Sequence, residues 1–301
     1  MFHQCTTFLL LSAIGLLAAV AQAETLNVRL VVSGSTPPYQ QFSTTLKQAL
    51  AASKVDVVLV ESLAGENGAK PDLVIAAGMK ATQLAIAEFD VPVLSVMIPR
   101  MSYEMMLESH PVHHQTKTTS AIYLDQPWER RLNFIQTALP GHKIVGLLYS
   151  PDANITLPRL PPGMSLNAQS ARSSEDLFTK LESILNDSDV LLVVSDSGIY
   201  NSNNVRNILL TSYRHKVPLI GISQAYVNAG ALGAVFSTPE QLAEQTARVI
   251  ASFARNRRLP EPQYPVSFSV ALNQQVARSL GIVLSSPEEI HIRMEKMEQG
   301  K

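Results

Sequence analysis

Hydroxyl, carboxylate and backbone N–H groups follow several apolar segments of this sequence, where they could bind a small charged molecule. The carboxylate of Asp196 follows the apolar run 190–194 and could accept hydrogen bonds from a ligand ammonium. Ser33 and Gly34 follow the first apolar run and offer N–H groups to a ligand carboxylate. Capping of a helix is the alternative role for both segments. The predicted ligand-binding residues are Ser33, Gly34, Gly78, Met79, Tyr123, Tyr149, Asp196, Ser197 and Ser223.

One segment suggests nucleophilic catalysis. Residues 221–225 (Gly-Ile-Ser-Gln-Ala) differ by one residue from the Gly-x-Ser-x-Gly motif of serine hydrolases, and His291 lies downstream as that class requires. Alanine replaces the last glycine, and no oxyanion-loop motif precedes the segment. A secreted serine hydrolase that uses Ser223 is therefore an alternative hypothesis, and we predict no catalytic residue.

A cluster of histidines suggests metal binding. His110, His113 and His114 lie close together, but the sequence around them supplies no second set of carboxylate or thiolate ligands. A closed zinc site needs four ligands, and Pro111 indicates that the cluster lies in a loop. We therefore predict no metal site, and the sequence has no phosphate-binding motif that would indicate a nucleotide cofactor.

Composition excludes several classes of function. The formal net charge of −1 provides no field that would attract nucleic acid or an anionic membrane. The single cysteine, Cys5, lies in the N-terminal apolar segment, so the rest of the chain has no disulfide, thiolate metal site or cysteine nucleophile. A hydrophobic content of 46% is sufficient for a large core.

The N-terminal segment is typical of a secretory signal peptide. An apolar run over residues 8–20 is followed by Ala21-Gln22-Ala23, a small-x-small cleavage signal. The run is shorter than the roughly 20 apolar residues of a spanning helix, although an uncleaved anchor is the alternative. We expect residues 1–23 to be removed and the remainder to lie in a bacterial periplasm.

The elements that would position the candidate residues alternate between short apolar strands and amphipathic helices. Continuous apolar strands that alternate with helices are typical of parallel sheets covered on both faces. Two such series predict an α/β fold of two doubly wound parallel-sheet lobes. Ligands bind beyond the carboxyl ends of such strands, so the lobes would share a cleft. The loops expected to line it are 33–36, 78–80, 99–103, 123–126, 150–151, 195–200 and 223–226.

Several segments between residues 125 and 292 resemble a known family when they are taken in order. Residues 125–127 (Asp-Gln-Pro) precede a helix that ends in Leu-Pro, and 143–151 read Lys-Ile-Val-Gly-Leu-Leu-Tyr-Ser-Pro. Residues 229–233 read Ala-Gly-Ala-Leu-Gly, and 272–282 combine Asn-x-x-x-Ala with Leu-Gly-Ile. The sequence is similar to the substrate-binding proteins of ABC transporters with a type I periplasmic-binding fold, in the subgroup that includes tryptophan and tyrosine binders.

The resemblance implies two lobes joined by three crossings, which close on a ligand as a hinge does. The expected N-terminal lobe comprises residues 24–122 plus about 237–262, and the C-terminal lobe 123–236 plus about 263–301. Asp196 matches the carboxylate of the family's Thr-Asp-Asn motif, although Ser197 replaces the amide. Gly78 matches the first residue of a Gly-Thr-Pro-Ala turn, in which Met79 replaces threonine.

The resemblance also implies the function. We expect a periplasmic protein that captures a small organic ligand, an amino acid being one candidate, for an ABC importer. The expected partners are that small molecule and a membrane permease, with no nucleic acid and no cofactor, and we expect a monomer. A periplasmic ligand sensor that docks on a membrane receptor or kinase is the alternative with the same fold.

Overall fold

The chain folds around two β-sheets, in a computed structural model that describes residues 25–53, 55–62, 70–109, 118–153, 155–172 and 174–300. Among those residues the first sheet has five parallel strands in the order β2-β1-β3-β4-β5. They are β1 (Leu26–Val32), β2 (Val57–Ser62), β3 (Leu73–Ala77), β4 (Val93–Ile98) and β5 (Thr119–Tyr123). The predicted signal peptide and the three clustered histidines lie outside the described residues.

The second sheet, in the same described ranges, has six strands in the order β7-β6-β8-β9-β10-β11. They are β6 (Ile144–Tyr149), β7 (Ser165–Ser170), β8 (Val190–Leu192), β9 (Leu219–Gly221), β10 (Gly233–Phe236) and β11 (Ser269–Leu272). Strands β6 to β10 are parallel, and β11 is antiparallel to β10 at the edge. Both sheets are thus mostly parallel, as predicted, and one antiparallel strand at the edge is a common addition to such a sheet.

Helices cover the faces of both sheets. The described helices are α1 (Pro37–Ala51), α2 (Met79–Glu88), α3 (Arg100–Glu108), α4 (Trp128–Ala138), α5 (Ser174–Asn186), α6 (Val205–Arg214), α7 (Gln224–Ala229), α8 (Pro239–Asn256), α9 (Gln274–Leu280) and α10 (Pro287–Gln299). Helices α1 and α8 pack together on the first sheet, and α4 and α10 pack together on the second. None of these helices combines the length and apolar character needed to cross a bilayer.

Strand β3 shows why the apolar runs form buried parallel strands. All five of its residues are buried. On one face Ile75 packs with Phe42 of α1 and Ile250 of α8, and on the other Val74 packs with Ala81 of α2. Because successive strand residues point to opposite faces, a strand covered on both faces must be apolar at every position.

In the described part of the chain, the polypeptide passes between the two sheets three times. The crossings are residues 124–127 after β5, residues 237–238 after β10, and residues 257–268 between α8 and β11. This topology confirms the prediction of two doubly wound lobes joined by three crossings. We propose residues 24–122 plus 237–262 and residues 123–236 plus 263–301 as the two domains.

Hydrogen bonds tie the three crossings to one another. Gln126 of the first crossing donates from Nε2 to the hydroxyl of Ser237 in the second, over 2.9 Å. That hydroxyl donates to the carbonyl of Ser267 in the third crossing, over 2.6 Å. Both Gln126 and Ser237 are buried, so these polar atoms depend on one another for partners. We call these residues, with Arg130 and Glu298, the hinge network.

Arg130, in the first turn of α4, is the central member of the hinge network. Its Nε and Nη2 donate to the two carboxylate oxygens of Glu298 on α10, over 2.6 and 2.8 Å. Its Nη1 donates to Oε1 of Gln126 and to the carbonyl of Pro265, over 2.8 and 2.9 Å. A bidentate arginine–carboxylate pair is stronger and more directional than a single ion pair. One guanidinium therefore joins two crossings to the C-terminal helix.

Two turns lie in the loop between β8 and α6. The apolar run 190–194 forms a strand only as far as Leu192, and the Val194 carbonyl accepts the N–H of Asp196 as the chain turns. The side-chain oxygen of Asn201 accepts the N–H groups of the second and third residues after it, which forms a second turn. Helix α6 begins after this turn, at Val205.

Arg130→Met is expected to lower the free energy of unfolding by about 3 kcal/mol, because it leaves the Glu298 carboxylate and Gln126 without their donor. Chemical denaturation measures the change. Arg278→Met, at an exposed position on α9, is the matched control and should change stability by less than about 0.5 kcal/mol. Equal losses in the two variants would contradict the role of the hinge network.

Candidate functional site

The carboxyl ends of strands from both sheets face one gap between the lobes. The loops after β4 and β5 approach it from the first lobe, and the loops after β6, β8, β9 and β10 from the second. Three cavities lie in this gap, and we call them together the interlobe cleft. Ligand binding at the carboxyl ends of parallel strands is the rule for open α/β sheets, so the fold places the cleft where a ligand is expected.

The three cavities adjoin one another. The first has a volume of about 60 Å³, the second about 170 Å³ and the third about 440 Å³. The first and second share four wall residues, namely Asp125, Gln126, Arg131 and Ser195. The first and third share Met101 of α3. A solute in the cleft would therefore contact both lobes at once.

Arg131 stands between the first two cavities. The residue is only 8% exposed, its Nη2 donates to the Val193 carbonyl, and its guanidinium lies 4.7 Å from the ring centre of Trp128. Among the described residues no carboxylate forms an ion pair with it. Burial lowers the pKa of Arg131 to about 10, against an opposing effect of Asp125, so the side chain is charged at neutral pH.

The other charged groups of the first cavity have hydrogen-bond partners within the protein. The Nε of Arg100 donates to Glu104 over 2.7 Å, and its Nη1 donates to the hydroxyl of Tyr264 over 2.9 Å. These two bonds raise the pKa of Arg100 above its usual value. The backbone N–H of Arg100 donates to Oδ2 of Asp125 over 2.6 Å, so that carboxylate lies at the N-terminus of α3.

Tyrosines stack behind the first cavity. Tyr264 lines it and packs edge-on against Tyr123, with ring centres 5.3 Å apart, and Tyr123 packs similarly against Tyr103 at 6.0 Å. Burial raises the pKa of Tyr103 to about 12 and also raises that of Tyr123. The predicted site residue Tyr123 is thus a neutral phenol that supports the cavity wall from behind.

The carboxylate of Asp196 is directed into its own lobe. Its Oδ2 accepts the backbone N–H of Ser150 over 2.5 Å, and its Oδ1 accepts the Ser150 hydroxyl and the N–H of Gly198 over 3.0 and 2.9 Å. The residue is 5% exposed but lines the third cavity, as Ser197 also does. Contact between Asp196 and a ligand stays a prediction. The observed hydrogen bonds of Asp196 join the loop after β6 to the loop after β8.

Ser223 lines the second cavity at the start of α7. The histidine that the hydrolase hypothesis requires is elsewhere: His291 packs its ring against Phe268 and lies 3.2 Å from Glu295 on α10. His291 is not part of the wall of the cavity that Ser223 lines. The geometry therefore places Ser223 in the cleft and the histidine of the hydrolase hypothesis outside the wall of its cavity.

The remaining predicted residues do not line the three cavities. Ser33 and Gly78 do meet, because the Ser33 hydroxyl accepts the N–H of Ala81 over 2.9 Å and a Cβ on Gly78 would lie 2.6 Å from that hydroxyl. Met79 is 49% exposed at the start of α2, and Tyr149 packs against the core of the second lobe. Their contact with a ligand, like that of Gly34 beside Ser33, stays a prediction.

Among the cleft residues that the sequence analysis did not single out are Arg131, Trp128 and Tyr264, whereas Arg100 lies in the predicted loop 99–103. A signal for Arg131 is present, since it precedes Ile135 by four residues and therefore shares the inward face of α4. A charged residue in an apolar register is unusual and indicates either a buried pair or a ligand site. Within the described ranges no group of three potential metal ligands occurs.

Asp196→Ala is expected to lower the free energy of unfolding of the solute-free protein by about 2 kcal/mol, because it leaves two backbone N–H groups and a hydroxyl without their acceptor. Asp152→Ala, at an exposed position on the wall of the same cavity, is the control and should change stability by less than about 0.5 kcal/mol. Denaturation of both variants without added solute measures the difference. An unchanged free energy of unfolding in Asp196→Ala would contradict the role of this carboxylate in joining the two loops.

Several solved structures share the fold of this chain. A substrate binding protein with adhesive properties from Clostridium difficile, in its ligand-free open structure, has a TM-score of 0.65 at 15% identity, covering 88% of this chain and 97% of that one. An ABC domain in complex with L-Trp from Streptococcus pneumonia has a TM-score of 0.58 at 16% identity, covering 89% and 98%. A conserved domain protein from Vibrio cholerae has a TM-score of 0.58 at 18% identity, covering 90% and 98%.

At these identities the structural neighbours show a shared fold, which is that of type I periplasmic-binding proteins. No curated protein matches the sequence. The family model described as ABC transporter substrate binding protein matches residues 44–297, which is most of the chain and includes every wall residue of the interlobe cleft. The chain therefore belongs to the ABC transporter substrate binding protein family.

Proposed function

We propose that this substrate-binding protein captures a small organic solute in the interlobe cleft, outside the cytoplasm, and presents it to the permease of an ABC importer. The observation that carries the proposal is the convergence of strand ends from both sheets on adjoining cavities. Membership of a solute-binding family supports the same conclusion. In this proposal the protein is a monomer and performs no chemistry on the solute.

Closure of the lobes is the mechanism by which binding becomes a signal to the permease. The first cavity has walls from α3 of the first lobe and from Ser195 of the second, so a solute gains its full set of contacts only when the lobes are close. A ligand that binds the closed form better shifts the population towards it. The three crossings supply the hinge, and the hinge network keeps them in register.

An amino acid is the first solute to test. The cleft offers the aromatic faces of Trp128 and Tyr264, and it presents charges of both signs at Asp125 and Arg131. A zwitterion with an apolar side chain needs all three kinds of contact. A structural neighbour was solved with L-Trp, which makes aromatic amino acids the natural starting point.

The chain carries its own reporter for this test, because its single tryptophan, Trp128, lines the first cavity. Titration with each of the L-amino acids is expected to give a saturable change in Trp128 fluorescence for at least one of them. The same solute should reduce the radius of gyration in small-angle X-ray scattering, since the lobes close. At 100 times its Kd it should stabilise the protein by about 2.7 kcal/mol.

Two variants serve as controls for that titration. Trp128→Phe removes the reporter and keeps an aromatic side chain at this position. The solute should therefore still raise the thermal stability of this variant, while the tryptophan fluorescence change disappears. Ser223→Ala should bind the solute and release it unchanged. A solute that binds without any change in the radius of gyration would contradict closure. A covalent product that the unaltered chain forms and Ser223→Ala does not form would contradict the absence of catalysis.

A further inference from the structure

We infer that Arg131 binds a carboxylate group of the solute, which has one negative charge, in the interlobe cleft. This inference rests on the proposed function and names the chemical class that the cleft accepts. Four observations support it: the missing acidic partner, the contrast with the adjacent arginine, the orientation of the guanidinium and the distribution of the other charges.

The first observation is a buried positive charge without an acidic partner. Arg131 is 8% exposed, and none of the described carboxylates pairs with it. Buried charges in proteins are normally paired, because removal of a lone ion from water is costly. Arg131 lines two cavities, and no nitrogen of its guanidinium is among the described atoms that are fully buried without a hydrogen bond. An anion from solution could therefore reach them.

The second observation is the contrast with Arg130, the preceding residue on the same helix. Arg130 is 6% exposed, and it donates to both oxygens of Glu298, to Gln126 and to two backbone carbonyls. The fold thus satisfies one buried guanidinium with protein groups alone. For the next guanidinium the described residues supply a single hydrogen-bond acceptor, the Val193 carbonyl, and Arg131 lines two cavities of the cleft.

The third observation is that the guanidinium is held in a fixed orientation. Its hydrogen bond to Val193 and its position 4.7 Å from the ring centre of Trp128 restrict the plane of the fork. A planar fork held in place matches the two oxygens of a carboxylate. The hydroxyls of Ser195 and Ser223 line the same second cavity and could donate to those oxygens.

The fourth observation favours a group with one negative charge. Asp125 lines both cavities beside Arg131, and Glu104 lines the first. These carboxylates would repel a doubly charged phosphate more strongly than a carboxylate. Asp125 also provides a position for a ligand ammonium. Its Oδ2 accepts the backbone N–H of Arg100 at the start of α3, and the carboxylate has the capacity to accept further hydrogen bonds. The class is therefore a monocarboxylate, with an α-amino acid as the zwitterionic form.

The test compares carboxylates with their primary amides, which keep the shape and lose the negative charge. The probes are benzoate with benzamide, and L-phenylalanine and L-tryptophan with their amides, measured by calorimetric titration of the full chain. At least one carboxylate is expected to bind with an affinity tenfold or more above that of its amide. Arg131→Gln should reduce the affinity for that carboxylate at least tenfold, and Arg131→Lys should reduce it less.

Arg278→Gln, which removes an exposed arginine outside the cleft, is the matched control and should leave the affinity unchanged. A second measurement needs no solute: Arg131→Gln should raise the thermal midpoint of the empty protein, because it removes a buried charge that forms no direct ion pair with the described carboxylates. A fall in that midpoint would assign Arg131 a structural role and overturn the inference.

The outcomes separate this inference from the proposed function. Equal affinities for a carboxylate and its amide, or an unchanged affinity in Arg131→Gln, would overturn the anchor and leave solute capture intact. Binding of a neutral solute alone would do the same. Absence of closure with every solute would contradict the proposed function. In that case the thermal midpoint of Arg131→Gln without added solute would still decide the role of Arg131.

Discussion

The bidentate pair between Arg130 and Glu298 is the interaction on which the arrangement of the two lobes depends. It fixes the C-terminal helix against α4, and the same guanidinium holds Gln126 of the first crossing and the Pro265 carbonyl of the third. Through Gln126 the bonds continue to Ser237 of the second crossing. The crossings are bonded to one another, and in the proposed function the lobes rotate about them while the strand ends stay opposed.

Two adjacent arginines on α4 therefore serve the molecule in different ways. Arg130 stabilises the hinge from within, and Arg131 brings a positive charge to the cleft beside it. A charge that lacks a protein partner costs stability until a ligand neutralises it, which is a common trade between stability and binding. The fold supports that arrangement because Phe134 and Ile135 anchor helix α4 in the core of the second lobe.

Local sequence signals predicted the elements well where capping and periodicity act together. The sequence has capping boxes at Thr238 and Ser286, where α8 and α10 begin, and a proline at residue 37, where α1 begins. The loops at 99–103, 123–126, 195–200 and 223–226 were predicted to line a cleft, and each contributes a wall residue to it. Strand β7 was missed because it is an edge strand with polar, half-exposed residues.

The individual cleft residues could be predicted less well, because tertiary contacts decide which way a side chain points. Asp196 follows a buried strand as a ligand-binding carboxylate would, yet it satisfies the loop at Ser150, which is 46 residues away in sequence. Arg131 lies in a helix and not in a strand-end loop, so a search limited to loops overlooks it. The class of site follows from topology, whereas its chemistry follows from which polar groups the fold leaves without partners.

The most direct measurement is a crystal structure of the full chain with a bound monocarboxylate such as L-phenylalanine. The account predicts a solute enclosed between the loops after β4 and β8, with its carboxylate oxygens about 2.7–2.9 Å from the guanidinium nitrogens of Arg131. A solute bound outside the cleft, or one inside it whose carboxylate points away from Arg131, would contradict the account.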